Sequence, residues 1–142
     1  MTDPTGLAVA LAVLAAATGF GLLRTRRDGR LRAGGKGASL RFSADELGAA
    51  LGARATLVQF STSYCANCPG TRRLLAQVAD AAEGVRVIEI DAEARLDLVR
   101  RADVMRTPTV LVLDRAGHLV RRSSGAPARA ELLTAVELAT AA

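Results

Sequence analysis

The chain has little aromatic content, with three Phe, one Tyr and no Trp among 142 residues. Proteins that bind single-stranded nucleic acid without sequence preference stack the bases on aromatic rings. The net charge of +5 therefore favours contact with an anionic membrane surface over contact with nucleic acid. We expect no nucleic-acid partner.

Metal ligands are also scarce, since the chain has two cysteines and a single histidine, His118. A structural zinc site needs four Cys or His ligands, and one Cys-x-x-Cys pair supplies half of them. Two associated chains would be needed to complete a four-cysteine site. His118 follows Gly117 in a predicted turn, and we interpret it as a solvated side chain. The sequence predicts no metal and no organic cofactor.

Charge is absent from Thr5 to Leu23. A helix of this length, rising 1.5 Å per residue, is long enough to cross a hydrocarbon core of about 30 Å. A cleaved signal peptide would begin with basic residues, whereas this chain begins Met-Thr-Asp-Pro. A buried core helix is the other alternative. We predict a single transmembrane anchor over residues 1–23, with residues 5–23 in the membrane.

Five arginines follow this span at once, while Asp3 is the only charged side chain before it. Basic residues beside a membrane span favour the cytoplasmic side, which predicts an N-terminus outside and the remainder in the cytoplasm. Residues 24–39 are rich in Arg and Gly without apolar periodicity, and we interpret them as a flexible basic tether. The five arginines are Arg24, Arg26, Arg27, Arg30 and Arg32.

Helical and strand patterns alternate from Leu40 onward. Ser43 and Glu46 form a capping-box pattern that predicts a helix through about Leu51. Strands separated by helices predict parallel pairing, and a hairpin that turns at Gly117 adds an antiparallel edge. We therefore expect an α/β domain over residues 40–142, with a central mixed sheet and flanking helices. The predicted strands are 56–60, 85–90, 109–113 and 119–122, and the later helices are 66–82, 93–102 and one that begins near Pro127.

The two cysteines stand at a predicted strand-to-helix junction, in the segment Tyr64-Cys65-Ala66-Asn67-Cys68. Unpaired N–H groups at a helix N-terminus stabilise a thiolate and lower its pKa from the free value of about 8.5. A second thiol three residues later can close a disulfide within one turn. This placement is typical of a dithiol redox site.

The chain from about Leu40 to Ala141 resembles a thioredoxin domain. The matching segments are the strand Val58-Gln59-Phe60 before the cysteine pair, Ile88-Glu-Ile-Asp91, the run from Val104 through Thr107-Pro108, and Gly125 after the hairpin. The resemblance implies the thioredoxin-like fold, with Pro108 as its cis-proline. It also implies a thiol:disulfide oxidoreductase that reduces or exchanges protein disulfides.

The resemblance assigns roles to individual residues. Cys65 would be the attacking thiolate and Cys68 the resolving thiol, and the two would form the disulfide of the oxidised state. The implied partners are protein disulfides and an upstream dithiol or reductase that donates electrons. A polypeptide substrate would lie in a groove formed by Tyr64, Thr107, Pro108, Gly125 and Ala126.

The sequence departs from the family pattern beside the cysteines. Gln59 stands where thioredoxins usually have a buried Asp, and Val87 stands in place of the Lys that partners that Asp. Because Gln cannot accept a proton, deprotonation of Cys68 loses its usual acceptor. Ala66-Asn67 replaces the familiar Gly-Pro, and Pro69, which lacks an N–H, fits only in the first turn of a helix.

Two alternatives stay open beside a membrane-tethered cytoplasmic reductant. One is an extracytoplasmic protein that resembles the anchored reductants of apocytochrome cysteines, which requires the opposite topology. The other is a non-catalytic thioredoxin-fold module that binds a partner and retains its cysteines as a disulfide. A disulfide-reduction assay separates the second alternative from the enzymes.

Overall fold

The computed structural model describes residues 4–27, 29–33 and 40–142, without the side chain of Arg26. These residues form five helices and five strands, which alternate along the chain except that the last two strands are consecutive. In chain order they are α1 (Pro4–Arg27), β1 (Arg32–Ala33), α2 (Ala44–Leu47), β2 (Ala55–Ser61), α3 (Cys68–Ala81), β3 (Val85–Asp91), α4 (Leu96–Arg101), β4 (Thr109–Asp114), β5 (Leu119–Ser124) and α5 (Arg129–Ala141).

The strands form one sheet in the order β1-β5-β4-β2-β3. Strand β2 is parallel to β3 and antiparallel to β4, and β5 is antiparallel to both β4 and β1. The expected mixed sheet is confirmed, but parallel pairing is confined to β2 and β3. The prediction was wrong for β4 because the chain crosses the end of the sheet after α4 and returns beside β2.

Each face of the sheet packs against its own pair of helices. Because side chains alternate along β2, Val58 and Phe60 join the core with α2 and α4, whereas Ala55 and Leu57 join the core with α3 and α5. Every residue of β2 is buried. Burying a Leu or Phe side chain contributes about 1.5–3 kcal/mol, so this central strand fixes both layers.

Strand ends that belong to four different strands meet at one edge of the sheet. Ser61, the last residue of β2, is in register with Asp91 of β3, and Phe60 beside it is in register with Thr109, the first residue of β4. Thr109 is in turn in register with Ser124, the last residue of β5. We call this the Ser61 edge, and the cysteine segment follows it directly.

Helix boundaries differ from the predictions where local geometry decides them. The capping box of Ser43 and Glu46 is confirmed, but α2 ends at Leu47 because Gly48 adopts the left-handed conformation, φ 71°. The other three helices of the domain begin two or three residues later than predicted, because turns precede α3 and α4 and extended residues precede α5. They begin at Cys68, Leu96 and Arg129, so Pro127 precedes the helix instead of opening it.

Helix α1 contains a span over Pro4–Thr25 with a mean hydropathy of 2.2, none of it buried. By length and composition it qualifies as a membrane span or as a signal sequence.

Residues 24–27 and 32–33 of the predicted flexible tether have regular secondary structure. Helix α1 continues through Arg27, and Arg32–Ala33 add a short strand to β5. The edge of β5 offers unpaired backbone groups to this segment, which the lack of apolar periodicity did not reveal. Residues 34–39 of the predicted tether lie outside the described residues.

Candidate redox site

Cys65 and Cys68 lie between the Ser61 edge and helix α3. Their sulfur atoms are bonded, and their Cα atoms are 5.4 Å apart. Two turn hydrogen bonds shape the segment, from Cys65 N to Thr62 O at 3.2 Å and from Cys68 N to Cys65 O at 3.2 Å. Cys68 is 2% exposed, whereas Cys65 is only partly buried. Attack from outside can therefore reach Cys65 and not Cys68.

The start of α3 explains Pro69. Cys68 is the first helical residue, Asn67 is the N-cap, and Pro69 lies in the first turn, where a missing N–H is tolerated. The Asn67 side chain makes no capping hydrogen bond. Its carbonyl instead accepts hydrogen bonds from the N–H and the hydroxyl of Thr71, at 3.1 and 3.0 Å. The first N–H group of α3, that of Cys68, donates to the carbonyl of Cys65 and so ties the helix start to the cysteine turn.

Gln59 lies beneath the dithiol and is wholly buried. Its Nε2 donates to the carbonyl of Cys68 at 3.0 Å. This bond fixes the amide orientation, because only the NH₂ end can donate. The other end, Oε1, is buried without a hydrogen-bond partner among the described residues. Val87, in the expected place of a Lys, packs in the apolar core on the same face, so position 87 supplies no cation beside Gln59.

The predicted groove residues converge from two loops. The peptide bond between Thr107 and Pro108 is cis. The Pro108 carbonyl accepts a hydrogen bond of 2.7 Å from the N–H of Gly125, and the Thr107 hydroxyl lies 3.3 Å from that of Thr62. The two loops therefore meet beside the turn that holds Cys65.

Two further groove candidates frame the site from outside. Tyr64 is 92% exposed, so its ring forms a free rim directly before Cys65. Ala126 is exposed and follows Gly125, whose φ of 109° is open to glycine and strained for other residues. The structure brings Cys65, Thr107, Pro108 and Gly125 together, and it places the side chain of Tyr64 in solvent.

Charged groups beside the dithiol were not singled out from the sequence. Arg72 on α3 binds Glu89 on β3 through two guanidinium nitrogens, and Glu89 also accepts from the Ser61 hydroxyl at 2.7 Å. The hydrogen bond from Arg72 holds the pKa of Glu89 below its usual value, against the opposing effect of partial burial. The packing of α3 against β3 brings Arg72 to Glu89, and the pairing of β2 with β3 brings Ser61 to it, so sequence spacing gave no signal for these contacts.

No group of three or more His, Cys, Asp or Glu is placed to hold a metal ion within residues 4–27, 29–33 and 40–142.

Comparisons with known proteins identify the architecture. A family model described as thioredoxin matches residues 42–138. A thioredoxin mutant from Halobacterium salinarum NRC-1 is 21% identical, with a TM-score of 0.56 over 61% of this chain and 75% of that one. Oxidised mitochondrial thioredoxin 3 from Saccharomyces cerevisiae is 20% identical, with a TM-score of 0.52 over 59% and 77%.

A third solved structure, of a malarial protein, is 14% identical with a TM-score of 0.54, and covers 61% of this chain and 97% of that one. No curated protein sequence matches the chain. At these identities the structural likeness shows the fold alone. The fold and the paired cysteines together support thiol–disulfide oxidoreductase chemistry in general.

Proposed function

Because the chain belongs to the thioredoxin family, we propose that it is a membrane-anchored thiol:disulfide oxidoreductase that reduces disulfides in polypeptides. The observation that carries the proposal is the asymmetric cysteine pair: Cys65 is reachable from solvent, whereas Cys68 is buried beside it. Such asymmetry gives one sulfur the role of attacker and the other the role of resolver.

The reaction transfers two electrons to the substrate. In the reduced protein, the Cys65 thiolate attacks one sulfur of the substrate disulfide and displaces the other as a thiolate. Cys68, as a thiolate, then attacks Cys65 Sγ, which releases the second substrate thiol and re-forms the Cys65–Cys68 bond. An external dithiol or reductase returns two electrons and completes the cycle. No metal or organic cofactor is required.

The second step needs a proton acceptor for the Cys68 thiol. The side-chain NH₂ of Gln59 donates to the backbone carbonyl of Cys68. An amide does not take up a proton near neutral pH. Solvent, or the departing substrate thiolate, then has to receive the proton. We propose that resolution is slower here than it would be with a carboxylate at position 59.

The groove residues would bind the substrate chain on either side of the scissile disulfide. The backbone of Thr107 lies two residues before β4 begins and beside the cysteine turn, where it can pair with an extended segment as an added strand. Gly125 and Ala126 border the opposite side without bulky side chains, and Tyr64 supplies an exposed aromatic rim. Recognition by backbone and rim suits many polypeptides.

Helix α1 would anchor the protein, because its apolar residues contact nothing else in the described chain. We propose the anchor at residues 1–23 and the redox domain at residues 40–142. The arginines after the span favour a cytoplasmic domain, a compartment in which a dithiol is kept reduced.

The chemistry is tested with purified full-length chain in detergent and a disulfide-linked peptide. Cys65→Ser should abolish reduction, and Cys68→Ser should form a stable mixed disulfide with the peptide, visible by mass spectrometry. Thr56→Val is the matched control, since it alters a buried polar residue of β2 whose hydroxyl accepts from Gly52, away from the dithiol. Reduction of the peptide by Cys65→Ser would mean that Cys68 is the attacking cysteine and Cys65 the resolving one. An inactive wild-type chain would favour the non-catalytic binding module.

A further inference from the structure

The anchor joins the domain at the edge of the sheet that carries the cysteines. Strand β1 is antiparallel to β5, with Arg32 in register with Arg122. Just before it, Gly29 donates its N–H to the carbonyl of Ser124 at 2.9 Å. Because β5 ends at Ser124 on the Ser61 edge, the chain arriving from α1 meets this edge first and then runs away from it along β5.

Gly29 is fitted tightly against the groove loop. It is buried with φ +82°, and a Cβ built there would lie 2.1 Å from the carbonyl oxygen of Ala126. Only glycine permits that approach without displacing one of the two segments. The contact joins the chain after α1 to the Gly125–Ala126 loop. The N–H of Gly125 donates a hydrogen bond to the carbonyl of Pro108.

Glu131 of α5 holds the residues that follow. Its Oε2 accepts the N–H of Leu31 at 3.0 Å, and its Oε1 lies 3.8 Å from the guanidinium of Arg30. The Leu31 side chain packs at the margin of the core that contains Leu132. Residues 29–33 are therefore held by backbone pairing, one charged partner and apolar contact, and we call them the strap.

The covalent chain limits the distance between the anchor and the strap. Helix α1 ends at Arg27, two residues before Gly29. Two trans peptide units separate these Cα atoms by at most about 8 Å. A flexible tether of sixteen residues would instead have a root-mean-square span of about 20–24 Å. The docked strap therefore keeps the groove loop close to the end of α1.

We propose that the strap turns the dithiol edge toward the membrane, so that the substrates are polypeptide disulfides at the membrane surface. The inference rests on the proposed anchoring and reductase activity. A disulfide held close to the bilayer already lies near the groove. A disulfide free in solution must first diffuse into the gap between the domain and the headgroups.

The test uses the full-length chain reconstituted into phosphatidylcholine/phosphatidylglycerol vesicles. One substrate is a disulfide peptide joined to a lipid headgroup by a short spacer, and the other is the same peptide free in solution. Both peptides are added from outside, so chains that face the vesicle lumen lower both reduction rates equally and leave their ratio unchanged. A twelve-residue Gly/Ser insert between Arg27 and Asp28 lengthens the chain ahead of the strap. The same insert after Gly37 lengthens the chain behind it.

The insert ahead of the strap should lower the membrane-to-solution ratio several-fold, and the insert behind it should leave the ratio unchanged. Equal effects from the two inserts, or no effect from the first, would overturn the inference. If the wild-type chain reduces neither peptide, the proposed reductase function is overturned instead. Failure of the chain to float with the vesicles would overturn the anchoring.

Hydrogen exchange gives a readout that does not depend on activity. The N–H groups of Gly29 and Leu31 should exchange slowly in the wild-type chain, because both are hydrogen-bonded within the strap. Gly29→Ala should release them and lower the rate ratio as the first insert does. Gly19→Ala is the control, since a Cβ there meets nothing within 4 Å. Fast exchange of both amides in the wild-type chain would overturn the strap.

Discussion

Helices α1 and α5 are built from similar residues and occupy opposite environments. Both are rich in Ala and Leu. In α5 one stripe of apolar residues is buried in the domain core while Leu133 and Leu138 are exposed, whereas every large apolar side chain of α1 is exposed. The buried residues of α5 are Leu132, Ala135, Val136 and Ala139.

The distribution of charge distinguishes the two helices. Helix α5 carries Arg129, Glu131 and Glu137 away from its buried stripe, so one face has solvent and the other has the core. Helix α1 carries no charge before Arg24, and none of its faces is covered by the described chain. An apolar surface on all sides suits the bilayer in the anchoring that we propose.

The largest expected effect comes from placing the same charge in both helices. Leu132→Asp should unfold the domain, because it loses a buried Leu, about 2–5 kcal/mol, and buries an unpaired carboxylate at a further cost of several kcal/mol. The total approaches the whole stability of a typical domain. Circular dichroism should show no cooperative melting transition.

The matched change in the other helix should leave the domain intact. Leu14→Asp should preserve the melting temperature of the domain and reduce membrane insertion by about 2.5–3.5 kcal/mol, measured by vesicle flotation. If Leu14→Asp also lowered the melting temperature, α1 would have to pack against the domain, and the contrast between the helices would fail.

The next prediction concerns which side of the membrane receives the domain. A reporter enzyme that is active only outside the cytoplasm, fused after Ala142, should stay silent. Replacing the five arginines that follow the span with Gln, and adding Lys beside Thr2, should reverse the charge bias and switch the reporter on.

A matched control removes five exposed arginines of the redox domain, which lie far along the chain from the span and should leave the reporter silent. Strong activity from the unmodified fusion would place the dithiol outside the cytoplasm and favour the apocytochrome-type alternative. The control replaces Arg54, Arg73, Arg86, Arg100 and Arg115 with Gln.

The sequence predicted what depends on local pattern and missed what depends on docking. The four strands β2 to β5 were located to within two residues at each end, because their apolar runs are short and bounded by turns, whereas β1 was missed. The helix starts at Cys68 and Arg129 were misplaced, since turn hydrogen bonds and cap geometry decide them. The strap around Gly29 was unpredictable, because its fit depends on the carbonyl of Ala126, far away in sequence.

For the redox site too, the features that depend on local sequence were predicted and those that depend on packing were not. The cysteine pair was recognisable from its spacing, whereas Pro108 and the missing carboxylate at Gln59 were recognised through the resemblance to thioredoxins. The hydrogen bond from Gln59 to the Cys68 carbonyl was not predictable, because it requires the start of α3 to lie directly over β2. The pairing of Arg72 with Glu89 likewise depends on the packing of α3 against β3.

A smaller effect should follow from a carboxylate in the interior of the domain. Gln59→Asp should speed collapse of the mixed disulfide several-fold near neutral pH, because a carboxylate can accept the Cys68 proton. Burial raises the pKa of the introduced carboxyl. Its destabilising effect should therefore be small at low pH and grow as the pH rises through that raised pKa.

Stopped-flow kinetics and urea titrations measure the two effects of Gln59→Asp separately. Gln59→Asn is the matched control, since it shortens the side chain equally and keeps a neutral amide. Equal collapse rates in the two variants would mean that solvent or the substrate thiolate already takes the proton without limiting the step.

The smallest expected effect is at Glu89, a charge that the domain keeps near its surface and pairs with Arg72. The hydrogen bond from Arg72 lowers the pKa of Glu89 in the folded state. The stabilisation is therefore fully present above the unfolded-state pKa, about 4.3, and is lost as the pH falls through the lower folded-state value.

Glu89→Gln should consequently lower the urea midpoint slightly at pH 7, and the difference from the wild-type chain should shrink toward zero as the pH approaches 2. Glu137→Gln, an exposed carboxylate of α5, is the control and should leave the midpoint close to that of the wild-type chain throughout. Arg72→Gln should reproduce the pH dependence of Glu89→Gln from the other side of the pair. A difference that stays constant from pH 7 to pH 2 would show that Glu89 stabilises the domain through packing and its hydrogen bond from Ser61, and not through its charge.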